Sequence, residues 1–127
     1  MQFRSNGDAM ETTVGFGDLV ISANDELGYR PFQLMVASIV GCSGSVFKKI
    51  LKKQRIEFEE LTIDADVKRN PDEADRIERI ILSFTIKGEN LDKEKLKKNL
   101  AIARKNCSMA RSVENSIEIE ETIEVVE

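Results

Sequence analysis

The sequence has no histidine and no tryptophan, and its 127 residues include only two cysteines, two prolines and one tyrosine. Without histidine there is no Ser-His or Cys-His catalysis, no histidine-ligated zinc and no histidine-bound haem. Two cysteines alone cannot complete a four-ligand structural zinc site, so neither a metal nor another cofactor is expected. Basic charge is also short. Lys and Arg number 19 against 23 Asp and Glu, a net charge of −4, which argues against a nucleic-acid partner, because phosphate binding needs a basic surface. The sequence shows no run of about 18 apolar residues, so no membrane span is expected. Met1 to Gly7 lack the apolar core of a signal peptide. The expected compartment is therefore the cytoplasm, where structural disulfides are uncommon. What remains for chemistry is thiols, carboxylates, Arg and Lys.

The length fits one domain over residues 1–127, with 41% hydrophobic and 33% charged residues, the balance of a globular protein. Met10–Val14 and Leu19–Ser22 read as strands around a Gly-rich turn, Gly15-Phe16-Gly17-Asp18. Pro31 opens a long helix. From Leu34 to Val46 that helix is apolar or small nearly all round, which predicts burial on most sides. After Phe47 four lysines, Lys48, Lys49, Lys52 and Lys53, take its polar face.

A hairpin follows. Leu61, Ile63, Ala65 and Val67 alternate with polar residues. Arg69 to Asp72 make the turn, and Ile80, Leu82, Phe84 and Ile86 share one face of the return strand. Asp92 is placed to cap a second helix that carries Leu96, Leu100 and Ala103 on one face and ends at Arg104 and Lys105. A short third helix is expected within Asn106–Ser116. The last strand places Ile117, Ile119, Ile123 and Val125 on one side. Glu121 falls on that same side, so a bulge is expected there, or a rim position in contact with water. Antiparallel strands with helices packed on one side make the fold α+β.

The two cysteines lie in different elements. Cys42 sits in the apolar part of the long helix, on a face with Met35, Ser38, Ile39, Ser45 and Val46. Its neighbours Gly41, Ser43 and Gly44 are small, which suits a close helix crossing as well as a reactive site. Cys107 lies where a helix begins. With Asn106 as cap, the dipole and Arg104, Lys105 and Arg111 would make Cys107 the more acidic thiol. Both cysteines can equally be inert core residues, and their spacing does not decide whether they meet.

The segment from Gly28 to Cys42, GYRPFQLMVASIVGC, resembles the OsmC/Ohr signature, a Pro followed by an Ala-rich helix ending in Gly-Cys. A second cysteine shortly before the final strand, in Cys107-Ser108-Met109-Ala110-Arg111, is similar to that family's second hallmark. The resemblance implies an OsmC-like fold with antiparallel sheets around a long central helix, in an intertwined homodimer. It further implies a thiol-dependent peroxidase for organic hydroperoxides and hydrogen peroxide. Cys42 would attack the peroxide and Cys107 would condense with it, an external dithiol reducing the resulting disulfide. That role for Cys42 runs against the dipole argument. The family pairs its reactive thiol with an Arg and a Glu. Phe32 stands here at the usual Glu position, Gln33 follows it, and Arg30 and Arg4 are the N-terminal candidates for the Arg. Two further readings remain: a non-catalytic dimeric protein holding a small hydrophobic ligand at its interface, and a redox sensor.

Overall fold

A computed structural model describes residues 1–127. The chain forms two compact units, Met1–Ala37 and Ser38–Glu127. The first holds strands β1 (Arg4–Asn6), β2 (Ala9–Thr13) and β3 (Asp18–Ile21), antiparallel in the order β1-β2-β3. The Gly-rich turn closes with Val14 N–H donating to Gly17 O (2.9 Å), and the Thr13 hydroxyl bonds Asp18 Oδ1 (2.7 Å).

Helix α1 (Pro31–Lys53) starts in the first unit and continues through the second. The second unit adds β4 (Glu60–Asn70), β5 (Arg76–Lys87), α2 (Lys93–Asn106), α3 (Ser108–Val113) and β6 (Glu118–Val126). The hairpin turn lies at 71–75, just beyond the expected one. The Asn70 carboxamide accepts from Asp72 N–H (3.0 Å), and Ala74 and Asp75 take positive φ of 59° and 54°. Asp92 caps α2 as expected, accepting from the N–H groups of Glu94 and Lys95.

The second sheet runs β4-β5-β6 and is not antiparallel throughout: β5 and β6 are parallel, with Ile80 beside Ile119 and Phe84 beside Ile123. The connection between them contains two helices, long enough to carry the chain back to the end of the sheet where β5 begins. The α+β class stands, with one parallel pair in an otherwise antiparallel arrangement.

The core of this unit is the inner face of β5, with Ile80, Leu82, Phe84 and Ile86 all buried. Phe47 of α1 meets Phe84 edge to face at 5.6 Å, and Leu51, Leu96, Leu100 and Ala103 complete the layer. The small residues of α1 divide. A Cβ on Gly44 would stand 3.1 Å from Ile63 Cδ1, so Gly44 serves a tight helix–sheet approach, whereas Gly41 faces open space.

Burial of α1 on most sides, the expectation for Leu34–Val46, does not occur within the chain. Met35, Ala37, Ser38, Gly41 and Ser45 are exposed. The apolar face of β4 is likewise half-open: Leu61, Ile63 and Val67 are only partly covered and Ala65 is exposed. One short chain supplies a single covering layer to this helix. By length and composition α1 is the one helix apolar enough to cross a membrane, a test that a core helix passes as well. Glycines and serines interrupt its apolar run while its mean hydropathy stays high. In the fold the helix commits Ile39, Phe47 and Leu51 to the core.

Candidate functional site

Cys42 and Cys107 are both free thiols, and the second unit brings them close enough that each shifts the other's acidity. Cys42, half-buried on α1, can meet a solute. Cys107 is fully buried between α2 and α3.

Cys107 itself caps α3. The expected cap, Asn106, is instead the last residue of α2, and its side-chain amide donates to Ile102 O (2.9 Å). The extended backbone of Cys107 (φ −82°, ψ 106°) turns its sulfur back onto the first turn of α3, where it accepts from Ala110 N–H (3.4 Å). Its thiol points at Ile39 O of α1 (3.9 Å), one turn before Cys42. The sulfur caps as an oxygen does in other helices, satisfying a donor that the helix leaves unpaired.

This arrangement makes the two thiols unequal. Cys42 is held below the usual thiol range, first by the Met109 N–H, then by the Cys107 thiol, and further by the hydroxyl and N–H of Ser108, with burial opposing. The Ser108 hydroxyl oxygen lies 3.7 Å from Cys42 Sγ. Cys107 is pushed up, chiefly by burial and also by its neighbour Cys42, with the Ala110 N–H opposing. The expectation that Cys107 is the more acidic thiol is therefore reversed. The donors at the start of α3 serve Cys42 more than Cys107, and desolvation outweighs the one donor that Cys107 receives. Nor do the nearby cations act as expected. Arg104 and Arg111 pair with Glu114 at 3.2 and 2.9 Å, and Arg111 also bonds Lys105 O.

Arg30 and Arg4 lie in the first unit. The Arg30 guanidinium rests over the Phe32 ring, 4.8 Å from its centroid, a cation–π contact where the family signature would have a carboxylate. Arg4 is exposed on β1, opposite Glu11 of β2. The groups that acidify Cys42 all belong to residues 107–109.

Glu121 has a role that the sequence pattern does not reveal. No bulge displaces it: β6 keeps its register, and Glu121 stands beside Leu82 on the inner face with Ile119 and Ile123. Its Oε1 accepts from the buried Ser43 hydroxyl (3.3 Å), the residue after Cys42, while its Oε2 is buried without a hydrogen-bond partner. Burial pushes its carboxyl above the usual carboxylate range, against the Ser43 bond and the charge of Arg104. A carboxylate in an otherwise alternating apolar strand is the one signal the sequence offers. No three His, Cys, Asp or Glu side chains converge as metal ligands.

Known proteins share this arrangement of elements. Residues 23–122, a span that includes both cysteines, match the family model described as OsmC-like protein. The organic hydroperoxide resistance protein OhrB of Bacillus subtilis is 24% identical over 94 residues, covering 74% of this chain and 68% of OhrB. An uncharacterised protein of Methanocaldococcus jannaschii is 31% identical over 94 residues, 73% of this chain but only 48% of that protein. Among solved structures, the OsmC-like protein of Mycoplasma pneumoniae superposes with a TM-score of 0.85 at 15% identity, covering 99% of this chain and 95% of its own. A family match across most of the chain and a shared fold agree, and the chain belongs to the OsmC-like protein family.

Proposed function

We propose that this protein is a thiol-dependent peroxidase that reduces organic hydroperoxides and hydrogen peroxide in oxidative-stress defence. The observation that carries this reading is the contact between an accessible, acidified Cys42 and a buried, protonated Cys107. The name of its relative OhrB, an organic hydroperoxide resistance protein, supports the same substrate class.

In the first step the Cys42 thiolate attacks the terminal oxygen of R–O–O–H. An S–O bond forms, the O–O bond breaks, and the alkoxide leaves to take a proton from water as R–OH. Sulfur loses two electrons and becomes sulfenic acid. Cys107, as thiolate, then attacks that sulfur; the S–S bond forms and hydroxide departs as water. The order is built into the pair. While Cys42 is a thiolate, its charge helps keep Cys107 protonated, and conversion to neutral sulfenic acid removes that charge. An external dithiol returns both cysteines to thiols by two exchange steps.

Reduced protein mixed with one equivalent of cumene hydroperoxide is expected to lose both free thiols within seconds and about 2 Da of mass, two hydrogens per disulfide. If both thiols outlast free cysteine under the same conditions, the peroxidase reading falls. The binding-module reading would then gain ground, with the cavity of about 540 Å³ between α2 and β6 as its site, its apolar wall formed by Leu100, Ala101, Ile119 and Ile123.

The working unit in this proposal is a homodimer in the cytoplasm. The exposed run Met35, Ala37, Ser38, Gly41 and Ser45 on α1 and the half-open apolar face of β4 are what a second copy would cover. Light scattering is expected to return twice the chain mass at micromolar concentration. A single-chain mass there would remove the dimer from the proposal.

A further inference from the structure

Ser108 follows the buried cysteine directly and opens α3. Its position is fixed from both sides. Ahead of it, Cys107 caps the helix through Ala110 N–H, and the Cys107 carbonyl accepts from Arg111 N–H (2.9 Å). Behind it, the Ser108 carbonyl accepts from the Ser112 hydroxyl (2.7 Å). With its backbone held in this way, the Ser108 side chain reaches across to α1, where its oxygen lies 3.7 Å from Cys42 Sγ, within range of a hydrogen bond to sulfur. A thiolate has no proton to give, so once Cys42 ionises this contact can only be O–H donating to S⁻. Ser108 is also exposed, so its hydroxyl borders the solvent from which a substrate reaches the sulfur.

We infer that Ser108 is a catalytic residue of this site, its hydroxyl donating a hydrogen bond to the Cys42 thiolate and so extending to lower pH the range in which that sulfur is nucleophilic. The inference rests on the reading of Cys42 as the attacking thiol. Ser108 keeps its proton throughout, since the alkoxide leaving the peroxide is protonated by water. Because sulfur is large and its charge diffuse, a hydroxyl and peptide N–H groups can hold it without a cation. The Ser108 hydroxyl is one of these donors.

The test is the pH profile of Cys42 alkylation by iodoacetamide, read peptide by peptide in the reduced full-length protein, for wild type, Ser108→Ala and Ser108→Thr. Loss of the donor in Ser108→Ala is expected to move the profile to higher pH and to lower the alkylation rate near pH 7 by about three- to tenfold, the worth of an ordinary net hydrogen bond at a long, exposed contact. Ser108→Thr, which keeps the hydroxyl, is expected to restore the wild-type profile. Alanine is a good helix former at this exposed position, so the far-ultraviolet circular dichroism should be unchanged. Identical profiles for wild type and Ser108→Ala would overturn the inference, and so would a shift that Ser108→Thr fails to reverse. Cumene hydroperoxide consumption, measured in parallel, separates this inference from the function it rests on. A shifted profile in a protein that consumes no peroxide would support the serine as thiolate donor and sink the peroxidase. Peroxide consumption with an unmoved profile would sink the serine alone.

Discussion

Cys42→Ser is expected to abolish peroxide consumption, whereas Cys107→Ser is expected to react once and stop at a sulfenic acid. That asymmetry is the largest effect the site predicts, and it follows from the surroundings of the two sulfurs. Cys42 is half-buried and receives the Met109 N–H, the Cys107 thiol and the Ser108 hydroxyl. A serine in its place has a far less acidic hydroxyl, so no anion is available near neutral pH and the loss is complete. Cys107 has no exposed surface and is held protonated by its burial. It is therefore expected not to reach a peroxide first, and to react only with the neighbouring Cys42 sulfur. Removing it leaves Cys42 able to attack and unable to form the disulfide, so turnover with a dithiol is expected to fall steeply while a single-turnover burst survives. Intact mass spectrometry with dimedone checks this: an adduct at Cys42 in Cys107→Ser, and none at Cys107 in Cys42→Ser. The reverse pattern, with Cys107 labelled in Cys42→Ser, would show that the order of attack is wrong. Because the Cys107 sulfur also caps α3, Cys107→Ser is the suitable replacement: a serine oxygen can still accept from Ala110 N–H.

Replacing Glu121 by leucine is expected to stabilise the fold near neutral pH and to have no such effect in acid. Glu121 lies between Ile119 and Ile123 on the inner face of β6, with one oxygen on the Ser43 hydroxyl and the other buried and unpaired. Burial raises its folded-state value above the ordinary 4.5, so the folded chain holds this proton more tightly than the unfolded chain. Below the ordinary value both states are protonated and the residue contributes nothing to the pH dependence. As pH rises through that value, the unfolded state ionises first and wild-type stability falls. The decline ends once Glu121 has also ionised in the fold. Above this window the leucine variant should exceed wild type by about 1 kcal/mol, the low end for a buried unsatisfied group because this carboxyl is partly solvated. The Ser43 hydroxyl left behind can turn to a carbonyl of its own helix. Urea unfolding at a series of pH values measures the difference between the two proteins. A difference that does not change with pH would show that Glu121 is not the titrating group.

Much of this fold is legible in the sequence. The alternation of Leu61 to Val67 and of Ile80 to Ile86, the Asp92 cap, and the long helix beginning at Pro31 all appear where local pattern places them. Each depends on neighbours within a few residues. The resemblance of Gly28–Cys42 and of the Cys107 segment also points to the family that the comparisons show. Local pattern fails where distant segments meet. It predicts antiparallel pairing for β6, whose direction depends on where the connection after β5 ends. It favours Asn106 over Cys107 as the cap of α3, because a sulfur is an uncommon cap and nothing local marks it. Of its two expectations for Glu121 the bulge fails and a half-buried position stands, but the bond to Ser43 is out of its sight, because that partner is on another element.

Which elements form, and which chemistry is excluded, can be read from the chain locally, since hydrophobic period, capping residues and the lack of histidine need no distant partner. Which of the two thiols is the more acidic depends on contacts between distant segments. The acidity of a cysteine depends on the balance of desolvation against hydrogen bonds, and here the donors for Cys42 come from Cys107, Ser108 and Met109, far along the chain, while the fold that supplies them buries Cys107.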